Sequence, residues 1–193
     1  MKKTAVSAVM SLIVLSAFAN NEIANAEKFV KENKCKNLIT NGSFELFAKK
    51  NKIPGWWPWK DAKSQGEVNW EQNSGVNDSG AAVISGGNIL ISQDIKNVKP
   101  GEKYLIKVTV QKKSEASKAS VSVRSKANRK WCPGVKSTAI PVKLSQADKW
   151  ESAVGIVTVQ PGVDTLCIML SASNLKDEDS EIIFDNVEAY KIK

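Results

Sequence analysis

Tyr104, Ile106, Val108 and Val110 alternate with Leu105, Lys107, Thr109 and Gln111, and this period of two constrains the chain more than any other feature. Successive side chains of a strand point to opposite faces, so such a segment packs one face into a core and turns a mostly polar face outward. The rhythm recurs. Val121 and Val123 alternate with Ser122 and Arg124, and Leu166, Ile168 and Leu170 with Cys167, Met169 and Ser171. Between these segments stand turn formers: Gly86-Gly87, Lys99-Pro100-Gly101-Glu102, Gln160-Pro161-Gly162. Helical periodicity is absent from Leu38 onward. About nine strands with hairpin-length links and no internal repeat predict an all-β chain folded as one antiparallel β-sandwich.

The first residues read differently. Met1-Lys2-Lys3 leads into an apolar stretch from Ala5 to Ala19 and then to Ala24-Asn25-Ala26, a small-x-small cleavage pattern. The apolar part is too short to span a bilayer, so the order predicts a signal peptide over 1–26 and a secreted or periplasmic protein. Residues 27–36 read as a linker and 37–193 as the sandwich. No later run approaches about twenty apolar residues, so no membrane span is expected. The formal charge of +8 favours anionic partners such as acidic glycans or cell-envelope polymers. Because the lysines are scattered, much of that charge is expected to be a solvated face. Nucleic acid is not an expected partner, since no basic stripe is interleaved with aromatics.

Three cysteines in an exported chain allow one disulfide. Cys132 with Cys167 is the favoured pair, because Cys35 lies in the leader-proximal segment. The chain has no histidine, which excludes the usual nucleophilic triads and histidine-bound metals. Glu67, Glu71 and Asp78 lie near aromatics, yet nothing selects two of them as a glycosidase pair. A polysaccharide lyase working through Lys, Arg and Tyr on an acidic glycan is a remaining enzymatic alternative.

Six tryptophans carry the positive evidence. A sugar ring packs its axial C–H face on an indole while its hydroxyls call for planar polar groups nearby. Trp150, at a strand start, and Trp56, after Pro54-Gly55, are expected inside. Trp57, Trp59, Trp70 and Trp131 stand in loops or strand ends among charged residues and are the candidate stacking platforms. Gln111 and Arg124, on the polar faces of their strands, are the candidate hydrogen-bonding partners.

Three stretches resemble a known family: NLITNGSFE at Asn37 to Glu45, IPGWW at Ile53 to Trp57, and IIFDNVEAYKI at Ile182 to Ile192. Together they resemble the family 4/9/16/22 group of carbohydrate-binding modules. The resemblance implies a jelly roll whose terminal strands meet, a structural calcium between them, and a sugar cleft on one sheet. Glu45 and Asp185, with turn carbonyls near Gly42, are the implied ligands, since calcium takes about six to eight oxygens. The acidic run Asp177-Glu178-Asp179 is a second candidate. The implied partner is a polysaccharide or oligosaccharide, bound without catalysis. Such modules usually accompany a glycosidase, and none is evident here, so an adhesion scaffold binding a cell-envelope protein is the alternative.

Overall fold

The computed structural model describes residues 20–46, 52–60, 64–87, 89–175 and 180–193. Eleven strands lie among them: β1 (Trp57–Lys60), β2 (Glu67–Glu71), β3 (Ala81–Ser85), β4 (Ile89–Lys96), β5 (Lys103–Lys112), β6 (Lys118–Ala127), β7 (Lys130–Trp131), β8 (Thr138–Ile140), β9 (Glu151–Thr158), β10 (Thr165–Ser173) and β11 (Glu181–Lys191). One sheet runs β1-β4-β10-β6-β7, with β8 also on β6, and the other runs β2-β3-β11-β5-β9. All pairings are antiparallel, and the two sheets stack as the expected jelly-roll β-sandwich.

The alternation in sequence becomes the inside and outside of each sheet. Ile91, Ile168, Leu170, Val121 and Val123 of the first sheet meet Ile106, Val108, Val110, Ile182 and Phe184 of the second in one continuous core. Each fully buried side chain of this size contributes roughly 1.5–3 kcal/mol. Trp56 is inside as expected. Its ring lies 5.4 Å from that of Phe44, and its Nε1 donates to the Asn41 carbonyl at 3.1 Å.

The two ends of the domain meet, as the resemblance implied, but residues 37–42 do so without forming a regular strand. Leu38 N donates to Ala189 O and Val187 N to Gly42 O, at 2.9 and 2.8 Å, and the Asn37 side chain bridges Val187 O and Ala189 N. This segment takes over where β3 stops, because β3 pairs only with Glu181 to Phe184. The register of β11 against β5 shifts between Asp185 and Glu188, a bulge in which Asn186 has φ 46°. A Cβ at Gly42 would collide with the Val187 carbonyl, so the close approach demands glycine.

The outward face of the second sheet is covered by the chain itself. Residues 20–32 are helical, and Ile23, Ala26, Glu27 and Val30, the partly or fully buried ones, recur at the spacing of one helical face. Glu22 reaches Lys103 at 2.7 Å and Glu27 reaches Lys107 at 3.2 Å, so the helix lies over Leu105, which is fully buried. Further along, Trp150 packs on Ala81, Val83 and Ile183, in keeping with its expected structural role. Residues 20–26, expected to end a signal peptide, and 27–32, expected to begin a linker, are thus one helix packed on the sheet. Among the described residues no helix is long and apolar enough to cross a membrane.

Candidate functional site

The outward face of the first sheet carries the site. Pro58 keeps β1 at the sheet edge, where a missing N–H costs no ladder bond, and the alternation then turns Trp57 and Trp59 to the same side. At the opposite edge the short hairpin after β6 places Trp131 across from Lys126. The registers align Trp59 with Leu90 and Ser171, Trp57 with Ser92 and Met169, and Arg124 with Cys167 and Asp94. A cleft of about 380 Å³ lies among Trp57, Trp59, Leu90, Arg124, Trp131 and Met169. A second hollow of about 530 Å³ adjoins it past Trp57, toward Thr40, Asp94, Lys96 and Lys126.

The indoles are open to solvent: Trp57 is 62% exposed, Trp59 59% and Trp131 44%. Large rings left bare in a group are unusual for a folded domain and mark a binding surface. The Arg124 guanidinium stands 4.2 Å from the centre of the Trp131 ring, and Lys126 Nζ 4.5 Å from it. Lys126 also holds both oxygens of Asp94, at 2.7 and 2.9 Å. Cys167 forms part of the cleft floor between them. Burial and a hydrogen bond to Asp94 push its thiol up to about 12, so it stays protonated.

Four of the six expected ligand residues meet here: Trp57, Trp59, Trp131 and Arg124. Trp70 and Gln111 belong to the other sheet. Trp70, on β2, donates its Nε1 to the Phe44 carbonyl and packs against the core. Gln111, on β5, is buried and donates to the Asp148 carbonyl at 3.0 Å. Both strands alternate as the sequence suggested, but their polar faces look away from the cleft.

The expected Cys132–Cys167 disulfide is absent, and all three cysteines are free. Cys132 follows β7 and bonds through its N–H to Ser125 O, whereas Cys167 lies opposite Arg124. They therefore sit two strands apart, about 10 Å, and on opposite faces of the sheet. Cys132 packs on the core side. No bridge closes across that geometry.

Glu45 and Asp185 do approach one another. Asp185 is fully buried at the bulge, where Val76 N, Ser79 Oγ and Asn186 N donate to its oxygens at 2.9, 3.0 and 2.6 Å. Gly80 N donates to Glu45 at 3.1 Å. Burial first, and the Glu45 charge besides, raise the Asp185 carboxyl above its ordinary value. Glycines keep this space open: a Cβ on Gly75 would come within 2.5 Å of Gly80 O and 2.9 Å of Asp185 Oδ2, and one on Gly80 within 2.5 Å of Phe44 O. The Glu45 and Asp185 carboxylates and the Phe44 and Gly80 carbonyls are hard oxygen donors of the kind a calcium takes, gathered here beside the Ser79 hydroxyl and the Trp70 indole N–H. Of the turn carbonyls near Gly42 that were expected to contribute, that of Gly42 accepts Val187 N and that of Phe44 faces Gly80. Among the described residues there is no cluster of three or more metal-binding side chains, and the Asp177-Glu178-Asp179 run lies outside them.

Residues 36–175 match the family model described as Carbohydrate binding domain, CBM_4_9. The chain belongs to this family of carbohydrate binding domains. Solved structures show the same fold. The N-terminal xylanase 10B of Clostridium thermocellum, carrying CBM22-1 and GH10 modules with xylohexaose, superposes with a TM-score of 0.61 at 14% identity. That match covers 81% of this chain and only 29% of the xylanase chain. The module TmCBM61, in complex with β-1,4-galactotriose, gives 0.57 at 14% identity over 81% of this chain and 99% of its own. A cyclase from Fischerella sp. TAU gives 0.56 at 16% identity, over 80% and 96%. No curated protein matches the chain.

In this carbohydrate binding domain, sequence reasoning missed Leu90 and Met169 of the cleft and Asp94 and Lys126 of the adjoining hollow. Leu90 and Met169 are the polar-parity positions of their strands occupied by apolar side chains, and that break in alternation was the available signal. Asp94 and Lys126 could be paired only once β4 and β6 were known to flank β10.

Proposed function

We propose that this carbohydrate binding domain is exported and works without catalysis, holding an oligosaccharide or polysaccharide across the outward face of the first sheet. The observation that carries the reading is the group of three bare indoles, Trp57, Trp59 and Trp131, around one cleft with Arg124 at its side. Indoles at both edges offer C–H stacking surfaces to a chain laid across the strands, and Arg124, Ser92 and Lys126 offer hydrogen bonds to its hydroxyls. The non-catalytic part rests on the carboxylates. Glycoside hydrolysis uses two, roughly 5–10 Å apart. On this face the described residues offer Asp94, which is tied to Lys126. The Fischerella cyclase is an example of the fold hosting catalysis, so activity has to be assayed and not inferred from fold.

A glycan array on the chain from Asn20 onward tests the reading, run beside a hydrolysis assay on every glycan bound. Selective signal on one polysaccharide class without product release is the expected result. A blank array from folded protein would overturn it and leave a cell-envelope protein as the occupant of the indole face.

Glu45 and Asp185, with the Phe44 and Gly80 carbonyls, would hold a structural calcium that ties the N-terminal segment to β11. An ion bound at a hundred times its dissociation constant adds about 2.7 kcal/mol. Calcium should therefore raise the melting temperature relative to chelator, and Asp185→Asn should remove the difference. Identical melting in calcium and chelator would eliminate the site.

A further inference from the structure

We propose that the cleft selects an acidic glycan, with a uronate carboxylate docking on Arg124; the proposal rests on the carbohydrate-binding reading and names its substrate class. Four cations point to the outward face of the first sheet among the described residues of its strands: Lys96, Lys118, Arg124 and Lys126, against a single carboxylate, Asp94. Asp94 is already engaged, with both oxygens on Lys126. Arg124 is exposed, and among the described residues no carboxylate lies within ion-pair distance of it.

A guanidinium in that position is pre-arranged. A cation–π contact with Trp131, 4.2 Å from Cζ to the ring centre, restrains the guanidinium at the side of the cleft. An arginine cannot be deprotonated in a protein, and its planar fork matches a carboxylate with two parallel hydrogen bonds. Trp131 thus holds in place the group that would read the acid on a sugar ring stacked at Trp57 or Trp59. A neutral glycan would leave the Arg124 charge without a counterion in a cleft walled by indoles.

The test uses matched pairs: polygalacturonate, alginate and hyaluronan fragments, each beside its carboxyl-reduced homologue, titrated calorimetrically at two salt concentrations. Hydrogen bonds to charged groups are worth enough that the acidic member should bind about tenfold tighter or more at low salt. The advantage should shrink as salt rises, since an open cleft is screened. Arg124→Gln should erase the preference yet retain residual binding of both members, whereas Trp57→Ala weakens both. Equal binding of acidic and reduced members, with Arg124→Gln indifferent, would overturn the acidic preference and leave sugar stacking standing. Binding to no member, nor to any neutral glycan, would remove the carbohydrate reading as well.

Discussion

The two sheets of this sandwich each turn one face to the outside, and the chain treats the two faces in opposite ways. On the second sheet the outward apolar residues are roofed: Leu105 lies beneath the helix of residues 20–32, and Val83 and Ile183 beneath Trp150. On the first sheet Trp57, Trp59 and Trp131 stand bare over Leu90 and Met169. Apolar area is worth burying wherever it occurs, at about 25 cal/mol per Å². A fold that supplies its own roof for one face and leaves the larger rings of the other uncovered has reserved that face for a partner.

Exchanging the tryptophans breaks or sharpens this contrast most sharply. Trp57→Ala with Trp59→Ala should lower glycan affinity about thirtyfold or more, as truncated interface anchors do, and leave the melting temperature almost unchanged. Trp70→Ala should do the reverse, because it empties a space against the core and removes the indole hydrogen bond to the Phe44 carbonyl, at about 3–5 kcal/mol. Calorimetric titration and thermal melting of both variants decide it. Loss of stability in the double variant would place those rings in the fold and not in the site.

The helix tests the roofed face. A chain beginning at Glu27 loses Ile23, Ala26 and the Glu22 clamp on Lys103, and uncovers Leu105, where one beginning at Asn20 keeps them. The buried leucine alone is worth about 2 kcal/mol, and the exposed ion pair little. For a chain of this size that is about 4–8 °C, with glycan affinity unchanged. Equal melting of the two chains would show that the helix lies on the sheet without supporting it.

What the sequence disclosed follows the same division. Strand alternation and the end motifs contain enough to place the core, the sandwich and the meeting of Asn37 to Gly42 with β11, since each depends on local periodicity or a short motif. Pro54 and Pro58 marked the edge on which Trp57 and Trp59 are displayed. Properties that depend on strand order stayed hidden. Gln111 and Arg124 both lie on polar faces, but of different sheets, and nothing local distinguishes them. The helix was hidden for another reason: Ile23, Ala26 and Val30 run on from the apolar stretch of Ala5 to Ala19, so their spacing merged with it.

A smaller effect belongs to the end of β5. Lys191 first, then the Tyr104 hydroxyl and the Lys99 N–H, hold the Glu102 carboxyl at about 2, below its ordinary 4.5. A depressed carboxylate stabilises the fold above its unfolded value, and that contribution is lost as pH falls from 4.5 toward 2. Glu102→Gln should be less stable at neutral pH and should lose less than the parent across that window. Parallel acid melting curves would refute the assignment.

The cysteines should give the smallest effect, and their geometry is why. A bridge between Cys132 and Cys167 would close a loop whose constraint is worth about 3.8 kcal/mol, so reductant would lower the melting temperature by about 8–15 °C. The two side chains leave opposite faces of the first sheet, Cys132 toward the core and Cys167 toward the cleft. Melting should therefore be the same with and without reductant. Native alkylation should spare Cys167, because a thiol held near 12 exposes almost no thiolate at neutral pH. A saturating glycan should slow that alkylation further by covering the cleft floor, whereas a ligand seated anywhere on the roofed sheet would leave it unchanged. Rapid labelling of Cys167 in the free protein would mean that the floor of the cleft opens, and with it the rigid platform on which the indoles are mounted.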